Sequence, residues 1–114
     1  MKQYTTPEQT AKLIELGFEK PKMAAPALKW VDGEPTFEPQ YTIGELIEML
    51  PNTFIFEGVE YDLCLSGGAS LVGKYCWQIS YIQSKRGYIF CSYDEELIDA
   101  LYKIVIGLKD KGVI

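Results

Sequence analysis

The sequence predicts an α+β fold, a three- to four-stranded antiparallel meander with helices packed on one face. Three observations predict it. Ser/Thr-x-x-Glu/Gln capping signatures precede three segments with apolar residues at helical spacing. Between the second and third of these the period changes from about 3.6 to 2. The strands in that interval are joined by links too short for parallel crossovers, which leaves antiparallel pairing. The order along the chain is α, loop or edge hairpin, α, β, β, β, β, α, read as a single domain over residues 1–114.

The first helix opens at Thr6, with Pro7 at its first position and Gln9 three residues after the cap. Proline loses nothing there, because that N–H has no helical partner. Leu13, Ile14 and Leu16 form a short apolar face, and Gly17 is the stop. Residues 18–40 hold four of the six prolines, and Asp32-Gly33 is a turn signal after a short strand expected at Leu28 to Val31. This stretch is expected to be an ordered loop with an edge hairpin.

The second helix carries a Thr42/Glu45 capping box, with Tyr41 and Leu46 placed as a hydrophobic staple. Ile43, Leu46, Ile47 and Leu50 fall on one face, and Pro51 ends the run. Phe54 to Phe56 and Val59 to Leu65 read as strands turning at Glu57-Gly58. Val59, Tyr61, Leu63 and Leu65 alternate with Glu60, Asp62, Cys64 and Ser66, predicting one buried and one wet face. Tyr75, Trp77, Ile79 and Tyr81 alternate in the same way, and Lys85-Arg86-Gly87 turns into a last strand, Tyr88 to Cys91. The third helix is expected from about Ser92, with Glu95 completing a capping box, and to end at Gly112. Leu97, Leu101, Ile104, Val105 and Leu108 make it the main lid of the core.

Composition narrows the function. Net charge is −5, and neither half of the chain is basic, which speaks against a duplex nucleic-acid binder. No apolar run approaches the ~18 residues of a membrane span, and the N-terminus lacks a signal-peptide core. Three cysteines, Cys64, Cys76 and Cys91, without a secretory signal read as reduced thiols of a cytoplasmic protein.

Candidate chemistry is sparse. There is no histidine, which removes Ser-His and Cys-His nucleophiles and His metal ligands together. The cysteines contain no C-x-x-C pair, so neither zinc nor any other cofactor is expected. Gly68 to Lys74 matches G-x-x-x-x-G-K, but Tyr75 stands where Ser or Thr would hold magnesium, and a strand pattern follows where a helix should open. Glu45 with Glu48, Glu60 with Asp62, and Asp94 to Glu96 are neighbours in sequence, better explained as helix-start and solvated-face residues than as a convergent site. Tyr75, Trp77, Tyr81 and Tyr88 with Lys74, Lys85 and Arg86 could stack single-stranded nucleic acid, yet Tyr75, Trp77 and Tyr81 share a face that is needed for the core. Trp30, Phe37, Lys85 and Arg86, in loops or edges, form the candidate interaction surface.

Tyr4-Thr-Thr-Pro-Glu-Gln-Thr10 leading to Leu13-Ile-Glu-Leu-Gly17, Tyr41 to Pro51, and Glu96-Leu-Ile-Asp-Ala-Leu-Tyr102 resemble a group of small phage-related or prophage-encoded proteins of gut bacteria. The resemblance covers about a third of the chain, its motifs are structural, and it transfers no functional residue. Together with the small size and the absence of catalytic groups, the resemblance leads to the expectation of a non-enzymatic accessory protein that binds a host or phage protein. The alternatives are a small carboxylate- or Lys-dependent enzyme and a weak single-strand binder.

Overall fold

A computed structural model describes residues 3–21, 24–69, 75–83 and 87–114, with the strands between residues 24 and 39 described by their backbone. The elements are α1 (Pro7–Glu15), β1 (Ala24–Val31), β2 (Glu34–Pro39), α2 (Ile43–Met49), β3 (Thr53–Phe56), β4 (Val59–Ala69), β5 (Tyr75–Gln83), β6 (Gly87–Asp94) and α3 (Leu97–Asp110). The fold is α+β. Strands β3-β4-β5-β6 form an antiparallel meander in that order.

Local chemistry accounts for the ends of α1 and α2. Thr6 accepts from the Gln9 amide and Gln9 Oε1 accepts from the Thr6 amide, and Thr42 and Glu45 repeat the exchange. The amides of Gly17 and Phe18 reach back to Ile14 and Leu13, closing α1 in a Schellman turn. Gln9 also donates through Nε2 to Asp99 at 2.9 Å, tying α1 to α3.

A buried polar chain holds the N-terminal segment. The Tyr41 amide donates to Thr5 Oγ1 at 3.0 Å, Thr5 and Thr10 hydroxyls meet at 2.6 Å, and Thr10 Oγ1 donates to the Thr6 carbonyl. Each hydroxyl has one proton, so Thr5 must be the donor to Thr10. The threonines of the Tyr4–Thr10 motif therefore have a structural task.

The two tight strand-to-strand turns among the described residues are of the type that suits twisted strands. Asp32 and Gly33 have φ of 52° and 80°, Glu57 and Gly58 have 52° and 79°, and positive φ at both central positions defines type I′. The Asp32-Gly33 turn joins strands longer than the sequence suggested. Moreover, β1 and β2 form a sheet of their own and are not hydrogen-bonded to the edge of the four-stranded sheet. The expected hairpin is present, and it forms a two-stranded arm of its own.

The start of α3 also differs from expectation. Ser92, Tyr93 and Asp94 pair with Ile79, Gln78 and Trp77, so β6 continues through the proposed capping box. Helix α3 begins at Leu97, and its N-cap residue, Glu96, makes no side-chain cap. The ladder to β5 satisfies the backbone of Ser92 to Asp94, which outweighs a local cap. Ser92 Oγ instead donates to the Ala100 carbonyl at 2.7 Å, binding strand to helix from inside.

Among the described residues, half of the fourteen buried apolar core residues come from α3: Leu97, Ile98, Ala100, Leu101, Ile104, Val105 and Leu108. They meet Ile79 and Tyr81 of the sheet, with Leu13 of α1 and Leu46 of α2. Beyond α3 the same sheet face is aromatic. Phe54 lies edge-on to Tyr81 at 4.6 Å, and Phe90 lies 5.8 Å from Phe54 and 5.2 Å from Phe56. Phe54 and Phe90 belong to the first and last strands, so the sheet must curl over this face for them to meet. A bulge helps: between Ile79 and Tyr81 the register with β6 shifts, and Phe90 there has φ 51°. No described helix is long and apolar enough to cross a membrane.

Candidate functional site

Of the four residues marked in the sequence as a contact surface, two lie in the described backbone and two do not. Trp30 in β1 stands opposite Pro35, and Phe37 in β2 stands opposite Leu28, so both belong to the arm. Lys85 and Arg86 lie outside the described residues. Residues 70–74 of the phosphate-loop lookalike do too, and the chain after Lys74 opens strand β5, with Tyr75 paired to Ala69. Tyr81, a member of the aromatic set considered for stacking nucleic acid, is fully buried and donates to the Pro51 carbonyl at 2.8 Å. Burial raises its pKa to about 12.

The acids are dispersed. Glu45 serves the α2 cap, and Glu60 and Asp62 are exposed on β4. Asp94 accepts from the Glu96 amide and pairs with Lys103 at 2.7 Å. Among the described residues no group of three or more His, Cys, Asp or Glu is placed to hold a metal ion. Cys64 and Cys76 are half-buried and Cys91 is exposed. Partial burial pushes the Cys91 thiol up, against a smaller opposing effect of its hydrogen bond with Tyr93. That is the reverse of what activates a nucleophilic thiolate.

The feature that the sequence reading missed is a groove of about 370 Å³ beside β6. Strand β6 is an outer strand, flanked by β5 on one side only. Phe90, Cys91, Ser92 and Tyr93 supply one wall of the groove. Helix α3 supplies the other through Lys103, Ile104, Gly107, Leu108 and Lys111. Tyr93 on this edge is 55% exposed. Lys103 Nζ donates to the Tyr93 carbonyl at 3.2 Å as well as to Asp94, closing one end of the groove.

A sequence signal for the groove existed in Gly107. Inside a helix, glycine costs about 1 kcal/mol relative to alanine. A Cβ built at Gly107 would meet nothing within 4 Å, so no neighbour demands the glycine. What its missing side chain does is deepen the groove.

A second cleft of about 220 Å³ lies between the end of α1 and α2, lined by Phe18, Lys20, Tyr41 and Glu48 among others. Tyr41 Oη donates to the Glu19 carbonyl across it, and burial, with Glu45 nearby, raises its pKa. Its polar groups serve to fasten the loop after α1. No protein family, no curated protein and no solved structure matches the chain.

Proposed function

We propose that the chain is a non-catalytic protein-binding module, of the phage or prophage accessory kind its sequence resembles, and that it binds through the β6–α3 groove. The observation that carries this reading is the outer strand β6 with an unfilled apolar channel along it. An extended segment laid there gains main-chain hydrogen bonds from a strand edge, while alternate side chains enter the channel. Strand β6 contains no proline, so each of its residues keeps an amide donor. The buried Tyr81 and the raised thiol of Cys91 favour binding over covalent chemistry at this face.

The test is selection from a random peptide library, followed by NMR mapping of the enriched sequences on the intact chain. Enriched peptides should shift the amides of Phe90 to Tyr93 and Lys103 to Lys111. Shifts confined to other surfaces, or no enrichment, contradict the reading.

A further inference from the structure

We infer that strand β3 is a second docking edge, and that its occupant is an extended basic segment of another protein, with Lys or Arg two residues to either side of an apolar residue. The inference goes beyond the β6–α3 groove and is independent of it, because β3 is the strand at the other end of the sheet.

The hydrogen bonding of β3 is fixed by its partner. Across the type I′ turn at Glu57-Gly58, Phe56 and Val59 form the closing hydrogen-bonded pair. Such pairs alternate along the ladder, so Phe54 and Tyr61 come next. The Leu63 amide, donating to the Asn52 carbonyl at 2.8 Å, continues the series. The amides and carbonyls of Thr53 and Ile55 therefore point away from β4, and among the described residues no further strand pairs with β3. Natural proteins blunt such an edge with proline, lysine or a bulge. Strand β3, Thr-Phe-Ile-Phe, has none of these, and its register with β4 is unbroken.

The side chains decide what the edge takes. Ile55 is 73% exposed, the most of any large apolar side chain among the described residues. It stands opposite Glu60, and Thr53 stands opposite Asp62, on the sheet face turned away from Phe54 and Tyr61. Glu60, Asp62 and the turn residue Glu57 are exposed. Among the described residues none of the three has a hydrogen-bonded or ionic partner, so their charge is open to a ligand.

An added strand lies about 4.8 Å beyond β3 and about 10 Å from β4. With its apolar residue opposite Ile55, the residues two places away on the same face fall opposite Thr53 and Glu57. A lysine beside Thr53 passes over a small side chain toward Asp62. A lysine at the other position meets Glu57 and extends toward Glu60. The spacing basic–x–apolar–x–basic follows from these positions. A second copy pairing through the same edge brings like charges together, which is unfavourable. Nor does the chain hold such a segment, since no two of its eleven Lys and Arg are four residues apart.

The probe is the blocked peptide Ser-Lys-Thr-Ile-Thr-Lys-Ser, titrated to millimolar concentration at low ionic strength into the full chain and followed by NMR. The amides of Thr53 and Ile55 should gain exchange protection, whereas that of Phe54, already directed at β4, should not. Asp62→Lys should weaken binding about fivefold, the upper range for an exposed ion pair. The chain carrying both Glu60→Lys and Asp62→Lys should instead bind the peptide with glutamates in place of its lysines. Ile55→Pro removes an outward amide and should abolish binding, and N-methylation of the peptide's isoleucine should do the same with the chain unaltered. Absence of binding, shifts confined to Phe90 to Tyr93, equal affinity for the lysine and glutamate peptides, or a peptide-free dimer that Ile55→Pro dissolves each overturn the inference. Failure here leaves the groove untouched, since its reporters are Phe90 to Tyr93.

Discussion

The helix-covered sheet and the hairpin arm are both antiparallel and both turn through a type I′ bend, but they are separate sheets of four strands and two. In the body, Ile79 and Tyr81 of β5 are fully buried beneath α3. Backbone hydrogen bonds give little net stability, because water offers the same bonds to the unfolded chain. What holds the four-stranded sheet is therefore apolar burial, and α3 supplies half of the buried apolar core among the described residues.

That contrast can be broken most forcefully from the helix side. Leu101→Ala removes a fully buried side chain from the centre of the lid, and denaturant unfolding should show a loss of about 2–5 kcal/mol. Thr5→Val comes next. It strips the Tyr41 amide of its acceptor and Thr10 of its donor, and should cost about 1–3 kcal/mol for the buried donor left unpaired.

The helix starts sharpen the comparison. Thr42→Ala should cost about 1 kcal/mol in denaturant unfolding, because its hydroxyl caps α2. A loss near zero would contradict the reading that α2 depends on its cap. In the arm, Gly33→Ala places a Cβ at φ 80° and should loosen the hairpin. Amide exchange of Lys29 to Thr36 should quicken as a result.

Alkaline titration reaches the same core. Tyr81 titrates near 12 in the folded chain against about 10 unfolded. The folded state thus holds its proton longer, so this contribution is complete below pH 10 and is lost as pH rises from 10 through 12. Tyr81→Phe should flatten that decline, and an unchanged decline would place the titrating group elsewhere.

Much of the body could be read in advance, because its signals are local. The Thr6 and Thr42 boxes, the stops at Gly17 and Pro51, and the turn at Glu57-Gly58 each depend on residues within five positions of one another. The misplaced start of α3 shows where that logic fails. Ser92 and Glu95 carry the right spacing, but Ser92 is claimed by a ladder to Ile79, a partner chosen by tertiary pairing. The Phe90 bulge, the Thr5–Thr10 chain and the groove are likewise made by contacts between distant segments. Gly107 was visible as a helix-interior glycine, yet its meaning depends on β6 standing opposite.

The central claim is that α3 is held by packing rather than by its cap, with seven buried apolar residues and no side-chain bond from its N-cap residue. Native-state amide exchange, followed residue by residue, tests it most directly. Amides of Ile98 to Leu108 should exchange only with global unfolding. Exchange of those amides by local opening, well below the global unfolding free energy, would contradict the account.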